Sequence, residues 1–128
     1  MRIDDISAAV IDEAIRAHRD IGPGLFETVY ETILAARLGA RGLKVARQVP
    51  VPLVIDGFTF DVAFRIDLLV ENRLVLEIKS VEQLTKAHAK QLLTYLRLMK
   101  QPVGLLLNFS AATMKEGIRR MVNDYVPD

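Results

Sequence analysis

The chain contains no cysteine and no tryptophan, and aromatic residues make up only 6% of it. Without cysteine there is no disulfide framework and no thiolate metal site, so the side chains and groups left to ligate a metal are carboxylates, main-chain carbonyls, His18 and His88. Any ion bound here is expected to be a hard one. Long apolar runs are also missing. None approaches the roughly 18 to 20 residues that cross a bilayer, and Met1-Arg2-Ile3-Asp4-Asp5 has neither the basic nor the apolar region of a signal peptide. A soluble cytoplasmic protein without membrane attachment is the expectation. The third absence is excess charge: a net charge of +1 is far from the basic surplus with which a pure nucleic-acid binder holds phosphates. Residues 1–64 carry 7 basic and 9 acidic groups (net −2) and residues 65–128 carry 10 and 7 (net +3), which makes the second half the expected polyanion face.

What is present is apolar material. Hydrophobic residues account for 51% and charged ones for 26% of 128 residues, enough for one sizeable core and against disorder, so a single domain over residues 1–128 is expected. Ile6, Val10, Ala14 and Ala17 recur near helical spacing with Asp12 and Arg16 four apart on the outer side, predicting an amphipathic helix that ends before Gly22-Pro23-Gly24. His18, near its end, is expected to meet that helix's own last carbonyls. A second helix is predicted from Leu25 to Arg41, with Leu25, Val29, Ile33 and Ala36 on its apolar stripe and Gly42 as its stop.

From Lys44 the pattern changes to β-branched and apolar residues: Lys44 to Ile55, a turn at Asp56-Gly57, and Phe58 onward. Pro50 and Pro52 remove ladder donors and predict an edge or a bulge on the first strand. Phe64 to Val70 and Leu74 to Lys79 complete a three-stranded meander. Thr85 is placed to cap a third helix to about Met99, Val103 to Phe109 reads as a central strand, and a last helix is expected around Met114 to Val122. The predicted order is α, α, β, β, β, α, β, α, with the fourth strand returning through a helix to pair in parallel.

Chemistry is concentrated in the third strand and its neighbour. Alternation puts Glu77 and Lys79 on one face. If Glu71-Asn72-Arg73 is a three-residue loop, Val70 pairs with Leu74, Asp67 falls opposite Glu77, and Arg65 falls opposite Lys79. Two carboxylates so placed repel by about 4 kcal/mol at 4 Å and an effective dielectric near 20. A divalent cation between Asp67 and Glu77 offsets this, the Ile78 carbonyl can add an oxygen ligand, and Lys79 is close enough to orient a water or stabilise developing charge.

The spacing of Asp67, nine residues, then Glu77-Ile78-Lys79 resembles the D-x(n)-E-x-K signature of the PD-(D/E)XK nuclease superfamily. Gly24-Leu25-Phe26-Glu27-Thr28-Val29-Tyr30 matches the G-x-x-E-x-x-Y motif that names a small family assigned to it, and Ile21-Gly22-Pro23-Gly24, Gly42-Leu43-Lys44-Val45, Asp67-Leu68-Leu69-Val70 and Gln91-Leu92-Leu93-Thr94-Tyr95-Leu96 look like further phrases of that family. The resemblance implies an α/β restriction-endonuclease-like αβββαβ core over residues 25–109, a mixed four-stranded sheet flanked by helices, with a helix added at each end. It implies Asp67 and Glu77 as metal ligands, Lys79 as the catalytic lysine, and Glu27 as an accessory metal or water-holding acid. Gln91 and Tyr95 match the Q-x-x-x-Y helix motif of recombination-type exonucleases, and they would position substrate or the metal's outer shell. The cofactor implied is Mg²⁺, with Mn²⁺ as a substitute, and the partner DNA or RNA; a homodimer is compatible with the sequence, which does not decide it. Ile66 stands where the superfamily name has proline.

Plainer explanations exist for the same residues. Asp67, Glu77 and Lys79 on a solvated hairpin would make cross-strand ion pairs, and Glu27 would be an ordinary acid in the first turn of a helix. Gln91 and Tyr95 would be a buried hydrogen-bonding pair or a helix edge. His88, one turn before Gln91, is either a phosphate contact or a polar residue at a helix start. Lys86, Lys90, Arg97, Arg119 and Arg120 form either a phosphate-steering rim or a solvated face. The functions that follow are a Mg²⁺-dependent nuclease, a catalytically silent module binding nucleic acid or a protein, and an oligomerising partner with an exposed apolar patch.

Overall fold

A computed structural model describes residues 1–125. The elements in chain order are α1 (Ile3–Ile21), α2 (Glu27–Ala40), β1 (Val45–Ile55), β2 (Phe58–Val70), β3 (Leu74–Lys79), α3 (Lys86–Met99), β4 (Val103–Asn108), a 3₁₀ turn (Lys115–Gly117) and β5 (Ile118–Val122). They form one five-stranded sheet in the order β1-β2-β3-β4-β5. The meander β1-β2-β3 is antiparallel, β4 joins β3 in parallel through the α3 crossover, and β5 returns antiparallel to β4. No helix among the described residues is long and apolar enough to cross a membrane.

Helices cover both faces of the sheet. α1 and α2 pack with Leu68, Val70, Leu74, Leu76, Ile78, Leu105 and Leu107 on one side, while Leu92 and Leu96 of α3 pack with Ile66, Leu69, Val75 and Leu106 on the other. β3 and β4 are covered twice and accordingly are buried over nearly all their positions, whereas β1 is an edge strand. Pro50 and Pro52 sit on that edge, and the β1–β2 register shifts between Val51 and Leu53, so of the edge or bulge expected from the prolines both are present.

α1 buries Ile6, Val10, Ala14 and Ala17 as its periodicity predicts, Arg16 pairs with Asp12 at 3.3 Å, and the helix stops at Gly22, whose φ of 88° suits a residue without Cβ. His18 does not turn to its own helix: its Nε2 lies 2.9 Å from the carbonyl of Ala111, in the segment after β4 that packs beneath it. α2 differs in its buried stripe. Leu25 lies outside the helix and is exposed, as are Val29 and Ala36, and the buried positions are Tyr30, Glu31, Leu34 and Leu38. The helix turns this way because Tyr30 is anchored at both ends. Its ring stacks on Phe109 at 4.6 Å between centroids. Its hydroxyl donates to the Gly22 carbonyl at 2.7 Å and accepts the Leu25 N–H at 3.0 Å, fixing the Gly22-Pro23-Gly24 linker.

The C-terminal helix expected at Met114 to Val122 is replaced by the 3₁₀ turn and β5. Gly117 interrupts helix formation, and a Cβ there would come within 2.3 Å of the Asn108 carbonyl, so the chain passes too close to β4 for any larger residue. Ile118 to Val122 then complete the open edge of β4, where ladder bonds outweigh the weak helical preference of five residues.

Replacing Tyr30 with Phe removes the hydroxyl that holds the linker and leaves a carbonyl and an amide short of a partner. Tyr30→Phe is expected to cost about 1–3 kcal/mol, read as a lower urea midpoint with an unchanged m value.

Candidate active site

The three-residue loop expected at Glu71-Asn72-Arg73 forms, with Glu71 and Asn72 in the left-handed region and Arg73 N–H bonded to the Val70 carbonyl at 3.0 Å. The β2–β3 ladder runs Val70–Leu74, Leu69–Val75 and Leu68–Leu76, in the expected register. It ends there. The continuation that would pair position 67 with 77 and 65 with 79 does not form, because the side chain of Asp67 takes the place of a main-chain acceptor: its Oδ2 accepts the Ile78 N–H at 2.7 Å.

This break has a visible cause in β1 and β2. Regular alternation would keep Ile66 and Leu68 on one face, yet Ile66 packs under α3 while Leu68 packs under α1 and α2. The partner strand does the same. Arg47 reaches Glu31 on α2 whereas Val49 packs on the α3 side, and Gln48 between them has a φ of 49°. Both strands thus change face around Gln48 and Asp67, and the Asp67 carboxyl lies between strands.

Glu77 stands beside it. It is 5% exposed, and its Oε1 is the buried side-chain polar atom left without a hydrogen-bond partner among the described residues. Burial pushes the Glu77 carboxyl up to about 9; the negative charge of Asp67 and a hydrogen bond shared with it act in the same direction, and Lys79 opposes them without offsetting them. Lys79 is half-buried at the end of β3, and its carbonyl accepts the Phe109 N–H at 2.9 Å. Just beyond it, Asn108 grips the main chain of Val81 through both ends of its amide, at 3.1 Å to the N–H and 2.9 Å to the carbonyl. The strand that carries Glu77 and Lys79 is therefore clamped where it leaves the sheet.

Tyr95 joins this group from α3. It stacks on Phe64 at 4.0 Å, and its phenol is raised by burial and by the charges of Glu77 and Asp67. Gln91 lies one turn earlier, exposed and with no side-chain partner among the described residues. Glu27 is exposed at the first position of α2, and its side chain likewise has none. No three His, Cys, Asp or Glu side chains come together among the described residues, so Glu27 stays apart from the Asp67–Glu77 pair. Arg65 is exposed and faces Pro50 of β1 in the ladder. His88 closes a capping box, its Nδ1 accepting the Thr85 N–H at 3.0 Å while Thr85 Oγ1 accepts the His88 N–H at 3.3 Å.

The basic residues do not ring the acids evenly. At about 100° per residue, Lys86, Lys90 and Arg97 share a stripe of α3 turned away from Tyr95. Arg120 is engaged by Asp4 at 3.4 Å and lies over the ring of Tyr125. Sequence reasoning missed Glu31, Arg47 and Gln48. Glu31 is 5% exposed, and Gln48 bridges it to Asp67. The one signal for it was the four-residue step from Glu27, which puts both acids on one helical face.

The residues present fit a hard divalent cation. The donors are two carboxylates, one with an orphaned buried oxygen, and the Ile78 carbonyl, which shares a strand edge with the N–H that meets Asp67. In the absence of metal the raised Glu77 has a consequence for stability. Its folded value of about 9 lies above the ordinary carboxyl value of 4.5, so the folded chain holds a proton that the unfolded chain releases. The stability from this group is complete below pH 4.5 and is lost as pH rises through about 9, with a slope of at most about 1.4 kcal/mol per pH unit. Thermal midpoints in EDTA are expected to fall over that range in the wild type, and Glu77→Gln is expected to flatten the fall.

No curated protein and no solved structure matches the chain. A family model described as the PD-(D/E)XK nuclease superfamily matches residues 4–121, from α1 to β5 and across Asp67, Glu77 and Lys79. By that match and by the mixed sheet that sets the acid pair at the splayed end of β2 and β3, this chain belongs to the PD-(D/E)XK nuclease superfamily.

Proposed function

We propose that the chain, acting as one domain over residues 1–128, is a metal-dependent phosphodiesterase that cleaves DNA or RNA. The observation that carries this reading is the unpartnered, buried Oε1 of Glu77 beside Asp67. A folded protein keeps such an atom at a cost unless something meets it in the working state. Asp67, Glu77 and the Ile78 carbonyl would hold Mg²⁺ or Mn²⁺. That ion, when bound, supplies Lewis acidity toward a phosphoryl oxygen and a water of lowered pKa. Lys79, on the same strand and within electrostatic reach of Glu77, holds the attacking water or steadies the charge that develops on phosphate. Tyr95, within electrostatic reach of both acids, would contact the substrate backbone, together with Arg65 from β2 and with Gln91 and His88 from α3. The G-x-x-E-x-x-Y reading is supported by the work its Tyr30 does in tying the glycine linker to α2.

A second reading has its own observation. Val54, Ile55, Phe58, Phe60 and Val62 are exposed on the β1–β2 hairpin, and between Gln48 and Phe64 the charged residues are Asp56 and Asp61 alone. An apolar, anionic arm suits a protein partner, as in a catalytically silent module.

Incubation with single- and double-stranded DNA and RNA in Mg²⁺ or Mn²⁺ separates the two. The first reading expects cleavage that EDTA stops, and a loss of about 10²-fold or more in Asp67→Asn, Glu77→Gln and Lys79→Ala. Equal cleavage by the wild type and these variants, or a wild type inert on all substrates, would remove it. Millimolar Mg²⁺ is expected to raise the melting temperature of the wild type at pH 8 and to leave Glu77→Gln unchanged, because only a folded site binds the ion.

A further inference from the structure

Glu31 is a buried carboxylate with no part in the hydrolysis just described. Arg47 grips its Oε2 with Nε at 3.1 Å and Nη2 at 2.9 Å. The other oxygen, Oε1, accepts from Gln48 Nε2 at 2.6 Å, and the same amide nitrogen lies 3.3 Å from Asp67 Oδ1. An amide nitrogen carries two hydrogens and no charge, so one group donates to both acids. Its orientation is dictated, since turning it over would set the amide oxygen against two carboxylates.

Asp67 is thereby held at both ends. Oδ1 receives Gln48 and Oδ2 receives the Ile78 N–H, so the carboxylate cannot rotate without losing a donor. Gln48 also occupies the left-handed region, at φ 49°, at the position where β1 changes face. The backbone conformation that is unfavourable for a residue with a Cβ is the one that brings its amide between α2 and β2.

We propose that Gln48 is a positioning residue, anchored by Glu31 and Arg47, whose neutral amide orients the Asp67 carboxylate for the ion it shares with Glu77. A lysine or arginine in this place would neutralise Asp67 and compete with a cation. Glutamine directs the carboxylate and leaves its charge intact. The role in turnover rests on the hydrolase reading; the geometry does not.

Two variants separate the donor from the backbone. Gln48→Gly fits the left-handed conformation and removes the amide, while Gln48→Met keeps the bulk and removes the donors. Both are compared with the wild type by far-UV circular dichroism, by NMR exchange of the Ile78 amide in metal-free protein, by Mn²⁺ titration followed by EPR, and by hydrolysis. The expected result is a folded protein in which Ile78 exchanges at least about tenfold faster, Mn²⁺ binds about tenfold more weakly, and kcat falls about tenfold with little change in KM. Ile78 exchange and Mn²⁺ affinity both within about twofold of the wild type in Gln48→Gly would overturn the proposal. So would a defect in Gln48→Met that Gln48→Gly lacks, since strain alone would then be the cause. A wild type that binds Mn²⁺ without cleaving defeats the hydrolase reading alone, and one that binds no Mn²⁺ leaves the decision to Ile78 exchange.

Discussion

Two carboxylates, Asp67 and Glu77, are held side by side at the splayed end of β2 and β3, and the architecture around them can be understood as what makes this tolerable. Like charges at such separations oppose folding by several kcal/mol, against a total stability of about 5–15 kcal/mol for a domain of this kind. The chain answers with three separate devices. Without metal, Glu77 keeps its proton, because burial and Asp67 together push it up to about 9. Asp67 is given two donors, Gln48 and the Ile78 N–H. Lys79 adds a favourable charge that does not reach neutrality.

The rest of the fold serves to keep that arrangement from relaxing. Relaxation would require β2 and β3 to slide or part further, and each is locked elsewhere. β3 is paired with β4 and, from Leu74 to Ile78, buried between α1 and α2 on one face and α3 on the other. Beyond it, Asn108 clamps Val81, so the end of the strand cannot swing. β2 is tied through Gln48 to Glu31 on α2, and α2 is tied through Tyr30 to Gly22 and Phe109. Gly104 lets α3 ride close on β4, where a Cβ would meet Leu92 at 3.0 Å, and the same helix brings Tyr95 over Phe64.

Much of this could be read from residue order. The amphipathic spacing of α1, the turn at Asp56-Gly57, the cap at Thr85 and the apolar run of β4 are local signals, decided by neighbours three or four positions away, and the structure keeps them. The prolines of β1 foretold an edge or a bulge because a missing N–H is a property of the residue itself. Two elements went differently for one shared reason. The stripe of α2 is chosen by the distant Phe109 and the distant β1, and the last segment becomes β5 because β4 offers an open edge. Neither partner is visible from the local sequence.

The candidate site divides in the same way. By itself the sequence determined the identities and the register: Asp67 two strands in, Glu77 and Lys79 alternating on one strand, and a three-residue loop that brings the first to the second, since turn length and a two-residue period are properties of the chain alone. Only the tertiary structure decided how the acids meet. It ended the ladder at Leu68–Leu76, turned Asp67 into the gap, buried Glu77 without a partner, recruited Glu31 and Gln48 from α2 and β1, and left Glu27 in solvent. The physical reason is that burial and electrostatics depend on what packs across from a residue, and in this fold those neighbours lie tens of positions away in the chain.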